Sequence, residues 1–382
     1  MLHSLENLIL GRRISSVNAL FANTALRSSA IALFGIFEPI YIYSLTGRVE
    51  SALLYSLAVR SGALLLCLPA GKAIAKLGFR RSVLVSNFFL AGLLIFLLLA
   101  KRSVWFLVPA AVFSVPATLF YWLPFHILMI DDSDHGHLGG ELSFMTVITN
   151  VFHIMPPFVG GLLITFGGFT SLYILAIFLA LLSSLPLFLM PHHRQPKQLE
   201  YLRFFRSFPF PKLSVFIHGF DDFFSVIVWP IFMYLVLRSY EQVGTLTSLM
   251  LFTVSIFLVL IGHFIDRGKA LIFYRVGTVL SSIAFPLRAL LITPVGVLAV
   301  DSFHNVARLS QKLPFDFLVY QNSPKGFEYE YVIIREMFLS LGRLTAAVIA
   351  FWALRSGLPW FYLFLLPAAV NLLLLPLREL KP

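Results

Sequence analysis

The sequence predicts an all-α polytopic membrane protein with twelve transmembrane helices in two six-helix halves. Of 382 residues, 59% are apolar and 12% are charged, whereas an average soluble domain is about 45–50% apolar and about 25% charged. The apolar residues lie in long runs without alternation, which is typical of membrane helices and not of strands. A polar, proline-rich segment interrupts these runs near the middle of the chain. The composition excludes an ordinary soluble enzyme and a disordered chain.

Each predicted span has about 20 residues or more, which is the length that crosses a bilayer core of about 30 Å. The spans are residues 17–45, 51–71, 82–100, 104–130, 142–166, 169–190, 212–237, 243–264, 270–290, 294–313, 329–354 and 358–377.

The distribution of basic residues predicts the orientation in the membrane. The net charge is +11, and the Lys and Arg residues outside the spans lie mainly in loops on one side. The other side has Arg48, Lys101, Arg102, Arg238 and Arg355. Because short cytoplasmic loops collect positive charge, we expect both termini to be cytoplasmic and the protein to lie in the cell (inner) membrane. Charges placed in this way do not indicate nucleic-acid binding.

The central segment predicts a division into two halves. Residues 191–211 are polar and basic, and they separate an N-terminal half (1–190) from a C-terminal half (212–382) as a cytoplasmic linker. Gly71 is followed five residues later by Lys76, and Gly262 is followed five residues later by Arg267, half the chain length away. A motif that recurs after the second span of each half indicates a repeated six-helix unit.

With these features the sequence resembles the major facilitator superfamily of transporters over residues 12–380. In that family the loop after the second helix has glycines, an acid and several bases, and it latches the two halves on the cytoplasmic side. Ala75 stands here where the family has the acid, so the resemblance implies that the latch depends mainly on Asp266. The residues that match in the two copies are Gly71, Lys76, Gly78, Arg80, Arg81, Gly262, Asp266 and Arg267.

A second element, in the fifth span, resembles a proline–glycine motif that the family associates with antiport. It consists of Pro156, Pro157, Gly160 and Gly161, and Pro156 stands where a glycine is usual. The alternative interpretation is purely structural, since such residues bend a helix and allow a close helix contact.

Charged and polar side chains within the spans predict a cavity. A charge at mid-bilayer costs about 2.5–3.5 kcal/mol even on a lenient scale, so such residues usually face water or a partner. Several lie at helical spacing in spans one, seven and ten, and the resemblance implies that spans one, four, seven and ten line a central cavity. Structural pairing between helices is the alternative for each residue. The predicted cavity residues are Arg27, Glu38, Arg60, Trp122, His126, Asp301, His304, Arg308 and Glu336.

Asp221 and Asp222 are the candidates for proton coupling, with His218 one helical turn away. Two adjacent carboxylates in a membrane repel each other, and burial disfavours the ionisation of both. A carboxylate that gains and loses a proton near neutral pH would suit a proton-coupled carrier. The alternative is that one of them pairs with Arg308 or Arg60 and stays ionised.

The predicted function is secondary active transport of a small solute by alternating access, with the proton as the coupling ion. The near-neutral balance of charges in the spans argues against a site for cations and favours an anionic or zwitterionic solute. The alternatives are a lipid or lysolipid flippase on the same fold and, less favoured, a polytopic membrane enzyme. We expect a monomer in the lipid bilayer without catalytic residues, cofactor, metal or nucleic-acid partner.

Overall fold

The computed structural model describes residues 16–131, 138–188, 199–207 and 211–375, and these ranges are almost entirely helical. Most of the predicted linker, residues 191–211, lies outside them. The described part of that linker is the short helix Tyr201–Ser207 with its two preceding residues, together with Pro211.

The first half contains seven helices in the described residues. Gly168 (φ 69°, ψ 179°) divides the long helix α6, and this backbone conformation is one that glycine adopts without strain. The predicted spans 142–166 and 169–190 are therefore two arms that meet at this glycine. The helices are α1 (Ser16–Gly35), α2 (Phe37–Thr46), α3 (Val49–Leu77), α4 (Phe79–Ala100), α5 (Leu107–Asp131), α6 (Leu138–Leu182) and α7 (Leu185–Phe188).

The second half follows the short helix α8 (Tyr201–Ser207). Two π-helical turns, Phe224–Val228 and Ile265–Lys269, interrupt its helices, and π-turns within α-helices frequently occur at functional sites. The helices are α9 (Lys212–Phe223), α10 (Trp229–Leu237), α11 (Tyr240–Phe264), α12 (Ala270–Leu287), α13 (Pro294–Gln321), α14 (Glu328–Arg355) and α15 (Trp360–Leu372).

The predicted class, an all-helical polytopic membrane protein, is confirmed. Within the described residues, nine helical stretches are long and apolar enough to cross a membrane. One of them, Asn150–Phe188, contains the two arms on either side of Gly168. Helix α13 is long but polar, and α15 is apolar but shorter. The tenth span was predicted too short, because α13 continues past Pro314 as far as Gln321.

The two halves meet along α3 with α14 and along α6 with α11. A Cβ atom at Gly161 would lie 2.6 Å from the backbone oxygen of Tyr240, and one at Gly244 would overlap that of Pro157. Glycine at both positions lets the backbones of α6 and α11 approach closely. Gly160 likewise lies against the backbone of Leu33. The two glycines of the proline–glycine element thus lie at close helix contacts.

Helix α8 docks on one end of the bundle, which we call the linker side. The backbone N–H of Glu200 donates to Glu330 Oε1 at 2.8 Å. Phe204 is fully buried, with its ring 6.0 Å from that of Tyr331 on α14. The end of the second half that begins α14 is therefore on the same side as the linker.

Candidate functional site

A cavity of about 720 Å³ lies between the two halves. Helices α1, α2, α3 and α5 supply most of its first-half wall, and helices α9, α11, α13 and α14 supply most of its second-half wall. The charged residues that line it are Arg27, Glu38, Arg60, Asp222, Arg308, Lys312, Asp316, Arg335, Glu336 and Arg343.

Ion pairs dominate the second-half wall. Arg308 Nε lies 3.0 Å from Asp221 Oδ2, and its Nη2 lies 2.5 Å from Asp222 Oδ1. Arg343 Nε lies 2.8 Å from Asp222 Oδ2, and its Nη1 lies 2.9 Å from Glu336 Oε1. Glu336 and Arg343 are two helical turns apart, so they share one face of α14. Asn371 of α15 completes the group by donating to Asp221 Oδ1 at 2.8 Å.

A fourth carboxylate, Asp316, joins this wall nearer to the linker side. Asp316 accepts from Arg335 Nη2 at 2.6 Å and from Lys312 Nζ at 3.0 Å. Four bases thus meet four acids, and their formal charges cancel. We call this set the second-half network: Asp221, Asp222, Asp316, Glu336, Arg308, Lys312, Arg335 and Arg343.

Arg27 on the first-half wall is held by neutral groups. Its side chain donates to Asn87 Oδ1, to Ser86 Oγ at 2.8 Å and to the backbone oxygen of Ala117 at 2.8 Å. Its guanidinium carbon lies 4.1 Å from the centroid of the Tyr121 ring, a cation–π distance. The residue is 2% exposed. Among the described residues, dipoles and an aromatic face therefore stabilise this buried charge, and no carboxylate pairs with it.

Arg60 and Glu38 also belong to the first-half wall. Tyr55 donates its hydroxyl hydrogen to Glu38 Oε1 at 3.0 Å. Among the described residues no ion pair includes Arg60, and its buried Nε has no hydrogen-bond partner. Two guanidinium groups on this wall therefore face one carboxylate, in contrast to the balanced network opposite.

Aromatic side chains of α5 complete the first-half wall. The rings of Trp122 and His126 stack with centroids 5.6 Å apart. His126 Nδ1 lies 2.5 Å from the hydroxyl oxygen of Tyr320 on α13. This hydrogen bond joins the two halves at the edge of the cavity. His218 lines the second-half wall, and its ring centroid lies 3.9 Å from that of Phe315.

The structure places two predicted cavity residues elsewhere. Asp301 Oδ1 lies 2.6 Å from Nη2 of the buried Arg288, and His304 Nε2 lies 3.3 Å from Ser225 Oγ. Both Asp301 and His304 are buried inside the second half and do not line the cavity. Asp221 lies behind the wall and reaches it through Arg308.

Several residues of the site escaped the sequence interpretation, among them Asp316, Asn371 and Tyr55. Asp316 lies beyond the predicted end of span ten, although it follows Lys312 by four residues, which is a helical pairing distance. Asn371 is an isolated amide in an apolar span, and Tyr55 looks like a packing residue. The one sequence signal for Asn371 was its position as an isolated amide in the otherwise apolar α15.

The predicted gate residues lie on the linker side, away from the cavity. Gly71 lies against the side chain of Ile333, and Ala75 is buried. Gly78 (φ 76°) ends α3. Arg80, whose guanidinium carbon lies 5.8 Å from the centroid of the Phe188 ring, and the exposed Arg81 begin α4. The remaining gate residues are the exposed Lys76 and Arg267, the buried Gly262, and Asp266, whose side chain lies outside the described part.

The halves touch each other on both sides of the cavity. On the linker side, the His126–Tyr320 bond is accompanied by a contact of 3.3 Å between Cys67 Sγ and the backbone oxygen of Ile333. On the opposite side, the rings of Tyr43 and Tyr234 lie 6.2 Å apart, and those of Phe169 and Tyr240 lie 5.3 Å apart.

No protein-family model matches the sequence, and no curated protein does. Solved structures do resemble the fold. The human organic anion transporter MFSD10 aligns with a TM-score of 0.65 and 15% identity, over 94% of this chain and 99% of that one.

Two further solved structures share the architecture. A bacterial homologue of the iron transporter ferroportin, in an outward-facing state, aligns with a TM-score of 0.67 and 18% identity, over 93% of this chain and 96% of that one. The E. coli fucose:proton symporter FucP aligns with a TM-score of 0.63 and 14% identity, over 95% of this chain and 97% of that one. The chain therefore has the fold of the major facilitator superfamily, as the loop motifs predict.

Proposed function

We propose that this protein is a secondary active transporter that moves a small solute across the membrane by alternating access. The observation that carries the proposal is the charged cavity bounded by both halves, with contacts between the halves on both of its sides. The similar structures are of proteins described as an organic anion transporter, a bacterial homologue of the iron transporter ferroportin and a fucose:proton symporter. The excess of basic residues in loops supports a cytoplasmic linker side, with both termini on that side, in the cell membrane.

The charge arrangement supports motion between the halves. Within the described residues, every ion pair of the cavity joins two residues of the second half. Separation of the halves then breaks hydrogen bonds and aromatic contacts but separates none of these ion pairs. Breaking a buried ion pair would cost much more free energy. Opening toward the linker requires the loss of the His126–Tyr320 bond, and opening toward the other side separates Tyr43 from Tyr234. The loop residues around Gly71 and Gly262 are the proposed gate on the linker side.

Proton coupling belongs to the same proposal, with Asp222 as the principal site. In the present arrangement Asp222 bonds to both Arg308 and Arg343, which favours its charged form. A proton can compete for Asp222 only after one of these partners turns away. We infer that solute binding or reorientation provides this change, with Asp221 remaining paired to Asn371 and His218 lying nearby on the wall.

The test uses purified protein in liposomes that contain a pH-sensitive dye. Sugars, amino acids, organic anions and amphipathic drugs are added in turn to wild type, Asp222→Asn and the matched control Glu241→Gln, which changes an exposed acid outside the cavity. We expect solute uptake with a proton flux that Asp222→Asn abolishes and Glu241→Gln preserves. Uptake without proton flux in any variant would refute the coupling. Movement of labelled lipid without movement of any solute would favour the flippase.

A further inference from the structure

The charges of the cavity do not balance, and the imbalance is confined to one wall. The second-half network pairs four bases with four acids, so it presents no net charge to a small molecule bound in the cavity, which we call the guest. The first-half wall has Arg27 and Arg60 against Glu38. With Glu38 counted as a carboxylate, the described part of the cavity carries one uncompensated formal positive charge.

Of the two first-half cations, Arg60 is the one available to a guest. The donors of Arg27 already serve Asn87, Ser86 and Ala117, and its face is covered by Tyr121. Arg60 has an unpartnered Nε and no ion pair among the described residues. An arginine in this condition binds a carboxylate through two parallel hydrogen bonds, which are among the strongest that a protein forms.

The surroundings of Arg60 limit the charge that a guest can bring. Its guanidinium interacts electrostatically with the carboxylates of Glu38, Asp222 and Glu336 and with the guanidinium of Arg343. These carboxylates repel a second negative charge on the guest. A cationic guest would add to the uncompensated positive charge and would be repelled by Arg60. One negative charge is the value that brings the cavity to neutrality.

The other residues that line the cavity indicate the chemistry of the uncharged part of the guest. Trp122 and Phe125 of α5 lie on the same wall as Arg60, and their rings are 5.6 Å apart. Apolar side chains such as Val59, Leu90 and Leu93 continue the surface. A cavity of about 720 Å³ is within the size range of small-molecule sites, about 300–1,000 Å³.

We propose that the substrate is a small organic monoanion, with its carboxylate or equivalent group paired to Arg60 and its apolar or aromatic body against Trp122 and Phe125. The inference rests on the proposed function, since it names the substrate class of the same cavity. Binding alone does not require transport, so the two are tested separately.

The experiment compares isosteric probes that differ in charge. Benzoate, benzamide, benzylamine and terephthalate, together with hexanoate, hexanamide and hexylamine, are added to the purified protein in detergent. Binding is followed by thermal unfolding and by quenching of tryptophan fluorescence, with Trp122→Phe to identify the cavity signal. We expect each monocarboxylate to bind about tenfold more tightly than its amide, the difference that one charge-assisted hydrogen bond provides. The amine and the dicarboxylate should bind more weakly than the monocarboxylate.

Variants at Arg60 test whether this residue causes the preference for carboxylates over amides. Arg60→Gln should abolish the difference between carboxylate and amide, Arg60→Lys should retain part of it, and Arg102→Gln, which changes an exposed loop arginine, should leave it unchanged. Equal binding of carboxylates and amides by wild type across the series would overturn the proposal, as would a preference that survives in Arg60→Gln. If Arg60→Gln does not fold, the wild-type comparison and Arg60→Lys still decide.

Flux measurements separate this inference from the proposed function. Selective binding of monoanions without their movement into liposomes would contradict transport and leave the binding site standing. Movement of neutral or cationic probes with no advantage for anions would support transport and overturn the monoanion proposal.

Discussion

The two walls of the cavity stabilise buried charge in opposite ways. On the second-half wall, Asp222 lies between Arg308 and Arg343, and the charges of the whole second-half network cancel. On the first-half wall, Arg27 is held by an amide, a hydroxyl, a backbone carbonyl and the Tyr121 ring, none of which carries a charge. An ion pair fixes geometry and removes the field of both partners. A cation held by dipoles keeps its field and can still attract an anion.

The difference suggests a division of labour between the halves. The paired wall is a rigid unit that resists the loss of any member, because each carboxylate depends on a neighbouring base. The unpaired wall provides electrostatic attraction for a guest. Substitutions that remove a charge should therefore have unequal consequences on the two sides.

The largest expected effect comes from Arg308→Gln. This change leaves Asp221 and Asp222 without a shared guanidinium, and breaking a buried ion pair typically costs about 3–5 kcal/mol. We expect a large fall in the temperature of unfolding in detergent and loss of transport. The double variant Asp222→Asn/Arg308→Gln should recover part of the stability, since fewer carboxylates are left unpaired. Strictly additive effects of the two changes would contradict a coupled network.

Arg27→Gln should cost less, although Arg27 is more deeply buried than Arg308. The change leaves neutral acceptors unsatisfied but no carboxylate unpaired, for which about 1–3 kcal/mol is typical. The unfolding temperatures of Arg27→Gln, Arg308→Gln and the surface control Arg102→Gln, measured side by side, rank the three losses of stability. A cost equal to that of Arg308→Gln would remove the distinction between the walls.

Tyr320→Phe tests the hydrogen bond between the walls. Loss of one such bond is worth about 0.5–1.5 kcal/mol and should favour opening on the linker side. The protein has a single cysteine, Cys67, which is buried against Ile333 at that contact. We therefore expect maleimide to label Cys67 about two- to tenfold faster in the variant. The exposed Tyr362→Phe is the matched control, and an unchanged rate in Tyr320→Phe would show that the bond does not hold this side closed.

The smallest effect is expected at the edge of the second-half network. The side chain of Lys312 is 48% exposed, and Asp316 keeps Arg335 when the lysine is lost. Lys312→Gln should change stability by about 0–1 kcal/mol, as for a solvent-exposed pair. High salt should reduce the difference from wild type further. Unfolding measured at low and high salt checks this, and a loss that salt leaves unchanged would place Lys312 within the rigid part of the network.

The sequence predicts the membrane helices well because hydrophobicity is a property of each segment. The helix break at Gly168 falls between two predicted spans, and the predicted pairing of Asp221 or Asp222 with Arg308 was among the alternatives. Partners depend instead on how each helix is rotated and placed against its neighbours, which no segment reveals alone. Asp301 was therefore assigned to the cavity, although its partner is Arg288 of the same half.

There is a specific reason why the sequence interpretation missed Asp316. This residue follows the polar residues Gln311 and Lys312 and then Pro314, and both polarity and proline usually indicate the end of a membrane helix. Helix α13 continues to Gln321 because its polar face meets the cavity and α14, not lipid. A hydropathy argument ends such a helix too early whenever protein or water replaces lipid around it.

The unpaired Arg60 has an electrical consequence. A membrane potential contributes about 2.3 kcal/mol for each elementary charge moved through 100 mV. An empty cavity with one uncompensated positive charge responds to this field as it turns from one side to the other. A cavity filled by a monoanion is neutral as long as Asp222 stays ionised, and a proton taken up at Asp222 restores one positive charge. Voltage would then act on the return of the empty carrier and on a proton-loaded step, while a monoanion that crosses without a proton would do so at the same rate in a polarised and in a depolarised membrane.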